Sequence, residues 1–117
     1  MVFPNSVRKI AKRVLFGCKE LETVVLNEGL EILGCSENDD EKDVRGLVFA
    51  GCGIKSIRIP STLKVIETAT FLECKRLKSV ELSENIEKIG IAAFSGSGIE
   101  NIVLPANTKI LGAEAFV

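Results

Sequence analysis

Two stretches of the chain carry nearly the same pattern: LVFAGCGIKSIRIP at residues 47–60 and AAFSGSGIENIVLP at residues 92–105. Phe, two Gly, two Ile and Pro occupy equivalent positions in both, while most of the other positions differ in charge or polarity. Duplication at this spacing points to internal repeats, because a fixed period of about 20–50 residues is typical of solenoids and related arrays.

The position held by Phe49 sets the period. Its equivalents recur at intervals of 34, 22, 23 and 22 residues, in Leu15, Phe49, Phe71, Phe94 and Phe116. A second landmark, three residues further on, is held by Cys18, Cys52, Cys74 and Ser97. The long first interval is one repeat plus an 11-residue insertion at 35–45. The chain therefore divides into about four and a half repeats of 22–23 residues, approximately 3–25, 26–58, 59–81, 82–103 and an incomplete 104–117.

Each repeat has two parts. The first reads LETVVL, IKSIRI, LKSVEL and IENIVL at 21–26, 54–59, 77–82 and 99–104, with apolar residues at its fourth and sixth positions. This alternation predicts a β-strand. The spacing in the second part, as from Leu63 through Ile66 to Phe71, predicts a bend with a short strand or helical turn. A unit this small buries its apolar face only by stacking on its neighbours. Residues 1–117 are therefore predicted to form one solenoid domain.

The segments LKSVELSENIEKIGIAAFSGS (77–97) and IENIVLPANTKILGAEAF (99–116) resemble the BspA-type leucine-rich repeat. The resemblance implies an α/β solenoid, a right-handed leucine-rich-repeat horseshoe with a parallel β-sheet on the concave face. Short strands or helical turns are then expected on the convex side. It also implies a cell-surface or secreted adhesion module that binds an extracellular matrix or host surface protein. Because the last repeat ends without a cap, we expect a piece of a longer array, whose open ends also allow end-to-end self-association.

Composition narrows the function further. The chain has no His, Trp or Tyr, and its 15 basic and 16 acidic residues give a formal net charge of −1. Without His, neither His-based acid–base catalysis nor a His metal site is possible, and no nucleophile has a base beside it. We therefore expect a protein that is not an enzyme and uses no cofactor. The near-neutral charge favours neither nucleic acid nor anionic membranes. No apolar run long enough for membrane insertion occurs, and the charged start predicts no signal peptide.

The Phe and Cys ladders are predicted to belong to the core. In-phase Phe residues beside small ones indicate stacked core rings rather than an aromatic binding strip. The Cys18, Cys52 and Cys74 positions favour buried free thiols. A disulfide between adjacent repeats and a metal site remain alternatives, the latter without any closely spaced Cys pair. Phe16, one residue out of phase, is predicted to be exposed.

The insertion CSENDDEKDVR at 35–45 begins with Cys35, which is expected to be the most reactive thiol. Its charges predict a solvated loop rather than a calcium site, since the turn Gly and ligand spacing of an EF-hand are missing. Insertions in repeat proteins often bind partners, so its acidic residues are candidate contacts. These are Glu37, Asp39, Asp40, Glu41 and Asp43.

Strand alternation also predicts the binding surface. If the apolar residues of the first part face the core, the residues between them face outward in columns across the repeats. The first column is Thr23, Ser56, Ser79 and Asn101; the second is Val25, Arg58, Glu81 and Val103; the third is Asn27, Pro60, Ser83 and Pro105. Core positions are kept while exposed positions vary, so the repeats predict a rigid, mainly polar surface for a protein partner.

Overall fold

The structure is a computed structural model that describes residues 1–34 and 46–117. The described part contains short strands and no helix. The strands are β1 (Lys9–Ala11), β2 (Ile32–Gly34), β3 (Ser56–Arg58), β4 (Val65–Ile66), β5 (Ser79–Glu81), β6 (Lys88–Ile89) and β7 (Ile110–Leu111). Every pairing between them is parallel. The helical component of the α/β prediction is therefore wrong for these residues, and the alternative of short strands in the second part is what forms.

The backbone explains why no helical turn continues there. The residue two before each Phe-ladder position adopts a left-handed conformation, with φ between 54° and 62°. These residues are Arg13, Leu47, Ala69, Ala92 and Glu114. A right-handed helix cannot pass through such a residue, so the chain turns instead. This conformation recurs in every repeat.

The strands lie on two sides of the solenoid, each turn of which is called a rung below. On one side, β3 pairs with β5, Thr23 bridges to Ser56 and Val2 bridges to Val25. On the other side, β1 pairs with β2, and β4, β6 and β7 form a three-stranded sheet. In that sheet Ile66 pairs with Ile89 and Ile89 with Leu111, steps of 23 and 22 residues. The repeat boundaries and the horseshoe curvature stay predictions.

The Phe ladder lies on the third side of the solenoid, and its rings point into the core. Phe49, Phe71 and Phe94 are fully buried. The rings of Phe49, Phe71, Phe94 and Phe116 stack at centroid distances of 5.3, 5.1 and 5.4 Å, with interplanar angles of 8° or less. The prediction of stacked core rings is confirmed for Phe49, Phe71 and Phe94, whereas Phe116 stacks on Phe94 but is 38% exposed. Phe16 is 56% exposed, also as predicted.

Backbone hydrogen bonds join the rungs on every side. The Phe71 N–H donates to the Ala93 carbonyl and the Phe94 N–H to the Ala115 carbonyl, both at 2.8 Å. On the side of β4, β6 and β7 the direction reverses, and the Gly90 N–H donates to the Ile66 carbonyl at 2.7 Å. Backbone groups of the interior rungs thus find hydrogen-bond partners in neighbouring rungs, as a stack of small units requires.

Candidate functional site

The exposed side of the β3–β5 sheet carries the middle of the predicted columns in register. Ser56 pairs with Thr23 on one side and Ser79 on the other, and Arg58 pairs with Glu81. Between them Val24 and Ile57 point inward and are at most 5% exposed. We call the exposed residues of the first two columns the strand face: Thr23, Val25, Ser56, Arg58, Ser79, Glu81, Asn101 and Val103, all of which are exposed.

The third column does not belong to this surface. Asn27 is only 4% exposed, Pro60 is also buried, and Ser83 and Pro105 are half-buried. The exposed position predicted for Asn27 is wrong, because strand alternation ends where the chain turns. Its Nδ2 group donates to the Val7 carbonyl at 2.8 Å and to the Glu28 carbonyl at 3.1 Å. Asn27 therefore ties this turn to the preceding rung.

Charges on the strand face compensate one another. Arg58 Nε lies 4.0 Å from Glu81 Oε2, and these side chains are 75% and 73% exposed. At the edge of the face Lys55 Nζ lies 3.7 Å from Glu22 Oε2. Such solvated pairs contribute little energy, so the face is polar without a dominant charge. A partner would meet hydrogen-bond donors and acceptors, together with positive and negative charges that largely cancel.

The main concavity of this face lies beyond β5. A cleft of about 790 Å³ is lined by residues 78–82 and 101–107 together with Glu84. Among the described residues, no backbone hydrogen bond joins β5 to residues 99–105. The edge of β5 that faces the last rung is therefore unpaired. Within the cleft Val103 is 86% exposed and Leu104 38% exposed.

The cleft brings together five predicted residues: Ser79, Glu81, Asn101 and Val103 of the strand face and Pro105 of the third column. Sequence reasoning missed Leu104 and Asn107, which also line it. Leu104 has a core position by alternation, but it lies in the last described rung, makes no ladder bond to β5 and is 38% exposed. The acidic candidates Glu37, Asp39, Asp40, Glu41 and Asp43, together with Cys35, lie outside the described residues.

On the turns that follow the strands, one carboxylate is held by hydrogen bonds. Ser61 Oγ donates to Glu28 Oε2 at 2.7 Å, and the Ser61 N–H donates to Glu28 Oε1 at 3.3 Å. These two bonds, the side-chain one first, lower the pKa of Glu28. Because Glu28 is fully exposed, the arrangement orders the turn rather than forming a catalytic site.

The described cysteines behave as core residues. Cys52 Sγ donates to the Leu15 carbonyl at 2.8 Å and Cys74 Sγ to the Phe49 carbonyl at 2.9 Å. Burial raises the pKa of Cys52 to about 11 and that of Cys74 to about 12. Cys18, Cys52 and Cys74 are free, as predicted, although Cys18 is only half-buried. Within residues 1–34 and 46–117, no cluster of three ligand-type side chains suited to a metal ion occurs.

Comparison with known proteins identifies the family. The family model described as BspA type Leucine rich repeat region (6 copies) matches residues 1–117. The chain therefore belongs to the BspA-type leucine-rich repeat family, whose repeats generally serve as protein-interaction modules. No curated protein sequence matches the chain.

Two solved structures share the fold. A leucine rich cell surface protein from Faecalibacterium prausnitzii superposes with a TM-score of 0.61 at 16% identity, over 98% of this chain and 35% of that one. A leucine-rich repeat protein from Bacteroides ovatus gives a TM-score of 0.59 at 26% identity, over 94% of this chain and 38% of that one. The chain thus spans little more than a third of the length of either protein. In the described part of the chain, no helix has the length and apolar character needed to cross a membrane.

Proposed function

We propose that this chain is a non-catalytic adhesion module, which binds an extracellular matrix or host surface protein through the strand face. One observation carries the proposal: Ser56 and Arg58 stand in register with Ser79 and Glu81, beside a cleft whose walls include four residues of the strand face. The strand face would form the concave side of a right-handed horseshoe.

The construction of the face supports recognition rather than chemistry. Val24 and Ile57 hold each strand in the core while the intervening side chains remain free to vary. Repeat arrays typically use such extended faces to bind partners. The unpaired edge of β5 adds backbone donors and acceptors, which suit an extended segment of a partner.

The location of the module is proposed from its relatives. The similar protein from Faecalibacterium prausnitzii is described as a cell surface protein, which supports a cell-surface or secreted location for the present chain. A mainly polar face with compensated charges favours modest affinity at a single site. Many copies on a surface compensate for this through avidity.

A multivalent binding screen tests the proposal. The folded chain, displayed on beads, is presented with matrix proteins, plasma proteins and host-cell surfaces. A charge-swapped variant, Arg58→Glu/Glu81→Lys, keeps the net charge but reverses both charges on the strand face. The matched control is Lys64→Glu/Glu87→Lys, which swaps two exposed charges on the other side of the solenoid.

Three outcomes are informative. Binding lost in the Arg58/Glu81 variant and kept in the control supports the strand face. Binding kept in both, but lost on deletion of 35–45, moves the site to the insertion. No binding to any partner by a sample shown to be folded contradicts the adhesion function.

A second function, a structural segment that stacks through its open end, is favoured by the last rung. Leu111 is 50% exposed and Phe116 38% exposed, although both hold core positions of the repeat. Analytical ultracentrifugation tests this function with the Leu111→Lys variant. Concentration-dependent association that this variant abolishes would favour stacking, whereas a monomer at all concentrations would exclude self-association.

A further inference from the structure

A shortened link between the Cys ladder and the strands creates a notch on the surface. Before the strands, the first and third rungs read Cys-Lys-Glu-Leu at 18–21 and Cys-Lys-Arg-Leu at 74–77. The rung between them reads Cys-Gly-Ile at 52–54, one residue shorter. A cavity of about 470 Å³ lies at this place, lined by residues of all three rungs. It is separate from the strand face and its cleft.

The floor of the notch is backbone and cannot be filled by a side chain. Gly51 and Gly53 lie in its lining together with the buried Cys52. A Cβ atom added at Gly53 would collide with the Lys19 carbonyl oxygen, and Gly51 has a φ of +73° that disfavours any side chain. Gly53 therefore requires glycine and Gly51 favours it, so the notch is built into the stacking of the rungs.

The walls of the notch are cationic. Three basic residues, Lys19, Lys75 and Arg76, line it against one carboxylate, Glu73, which leaves an excess of two positive charges. Lys75 Nζ lies 3.9 Å from Glu73 Oε2. Arg76 also pairs with Glu22, at 3.7 Å. Lys19 forms no ion pair with any described residue.

We propose that the notch binds an oxyanion group, such as a sulfate, phosphate or carboxylate, carried by a small ligand. Three cations converge from two rungs, and the guanidinium of Arg76 provides a fork of donors suited to planar or tetrahedral oxygens. No aromatic side chain lines the cavity, so recognition rests on charge and hydrogen bonds rather than on stacking. The same short link recurs at Ser97-Gly98-Ile99, while the cavity described here is lined by the 51–53 backbone and by Lys19, Lys75 and Arg76 of the neighbouring rungs.

Titration followed by ¹⁵N–¹H NMR tests the proposal at constant ionic strength, with inorganic sulfate and a sulfated disaccharide as probes. Saturable shifts are expected at the amides of Lys19, Gly51 and Gly53. The variant Lys19→Gln/Lys75→Gln/Arg76→Gln should bind about tenfold more weakly or worse, because the converging charges are gone. The control Lys64→Gln/Lys88→Gln/Lys109→Gln loses the same net charge elsewhere and should bind like the parent.

A second variant changes the shape of the cavity and leaves its charge unchanged. Inserting one Ser between Gly53 and Ile54 restores the 23-residue length without changing any charge, and it should abolish the shifts. Equal affinity in the two Gln variants, or shifts that never saturate, would overturn the proposal. Tighter binding of the disaccharide than of sulfate would identify a glycan-borne anion, and equal binding a free oxyanion. The Arg58→Glu/Glu81→Lys variant should keep this binding, which distinguishes the notch from the adhesive surface.

Discussion

The rung of Phe94 and the last rung, that of Phe116, carry the same pattern but differ in burial. Phe94 and Ile89 are fully buried, whereas Phe116 is 38% and Leu111 50% exposed. The two Phe rings nevertheless stack on each other at 5.4 Å and 4°, the geometry of the interior pairs. The last rung is therefore folded like the others, and only the layer on its far side is absent from the structure. Burial in this molecule is supplied by the neighbouring rung rather than by a residue's own sequence.

The largest difference in the free energy of unfolding should appear between removing a Phe ring from the middle of the ladder and removing the one at its end. Phe71 lies between Phe49 and Phe94 without exposure, so Phe71→Ala should lower the free energy of unfolding by about 3–5 kcal/mol. Phe116→Ala should cost only about 1–2 kcal/mol, since part of that ring is already in water. Urea unfolding measures both variants. Equal losses would show that the far-side neighbour contributes nothing to ring burial.

The interior thiols should make stability fall in alkali. Folding raises the pKa values of Cys52 and Cys74 above the ordinary 9.0. Their contribution is complete below pH 9 and is lost as the pH rises toward 11–12, because only the unfolded chain then releases these protons. The slope should be on the order of 1 kcal/mol per pH unit for each thiol. Unfolding of a Cys52→Ala/Cys74→Ala variant provides the comparison, and an unchanged slope above pH 9 would contradict this assignment.

Gly90 and Gly112 both lie against the backbone of the preceding rung, but Gly90 is inside the stack and Gly112 is in its last rung. A Cβ at Gly90 would lie 2.6 Å from the Thr68 nitrogen, and one at Gly112 would collide with the Ile91 nitrogen. Gly90→Ala should cost about 1–3 kcal/mol, because rungs on both sides hold it in place. Gly112→Ala should cost less, since the last rung has room to shift outward. A larger loss for Gly112→Ala than for Gly90→Ala in chemical unfolding would contradict this view.

One exposed residue in an interior rung, Glu73, departs from the repeat pattern, and replacing it should stabilise the chain. Glu73 has a φ of 57° at a position where Gly17, Gly51 and Gly96 stand in the other rungs. Glu73→Gly should therefore stabilise the chain by about 1 kcal/mol, because glycine adopts this conformation without a steric cost. Glu73→Ala is the control, since it removes the carboxylate but keeps the strain. A thermal unfolding midpoint no higher for Glu73→Gly than for Glu73→Ala would refute the explanation.

The smallest effect on stability is expected on the strand face. Exchanging the charges in Arg58→Glu/Glu81→Lys should change the free energy of unfolding by less than about 0.5 kcal/mol, because both side chains are solvated. Denaturant unfolding of this variant beside the parent chain checks this. A loss of several kcal/mol would mean that the face stabilises the fold, and it would remove the variant's value as a probe of binding.

The same distinction explains what the sequence could predict. Features repeated in successive interior rungs, such as the Phe stacking and the pairing of Ser56 with Ser79, follow from the period alone. Features that depend on where a strand stops do not, and Asn27 was misplaced because alternation was extended into a turn. Leu104 has a core pattern, yet it is exposed in the last rung, where no ladder bond joins it to β5. The notch arises from a one-residue difference in length, whose effect on cavity shape appears only when the rungs are stacked.

Native-state hydrogen exchange tests most directly whether the neighbouring rung supplies the stability. Gly90 and Gly112 are equivalent amides, which donate to the Ile66 and Ile89 carbonyls at the same distance of 2.7 Å. Gly112 should exchange roughly a hundredfold faster or more, by local opening of the last rung, while Gly90 should exchange only with global unfolding. Equal protection of the two amides would contradict the account, since identical bonds would then be equally stable with and without a rung beyond them.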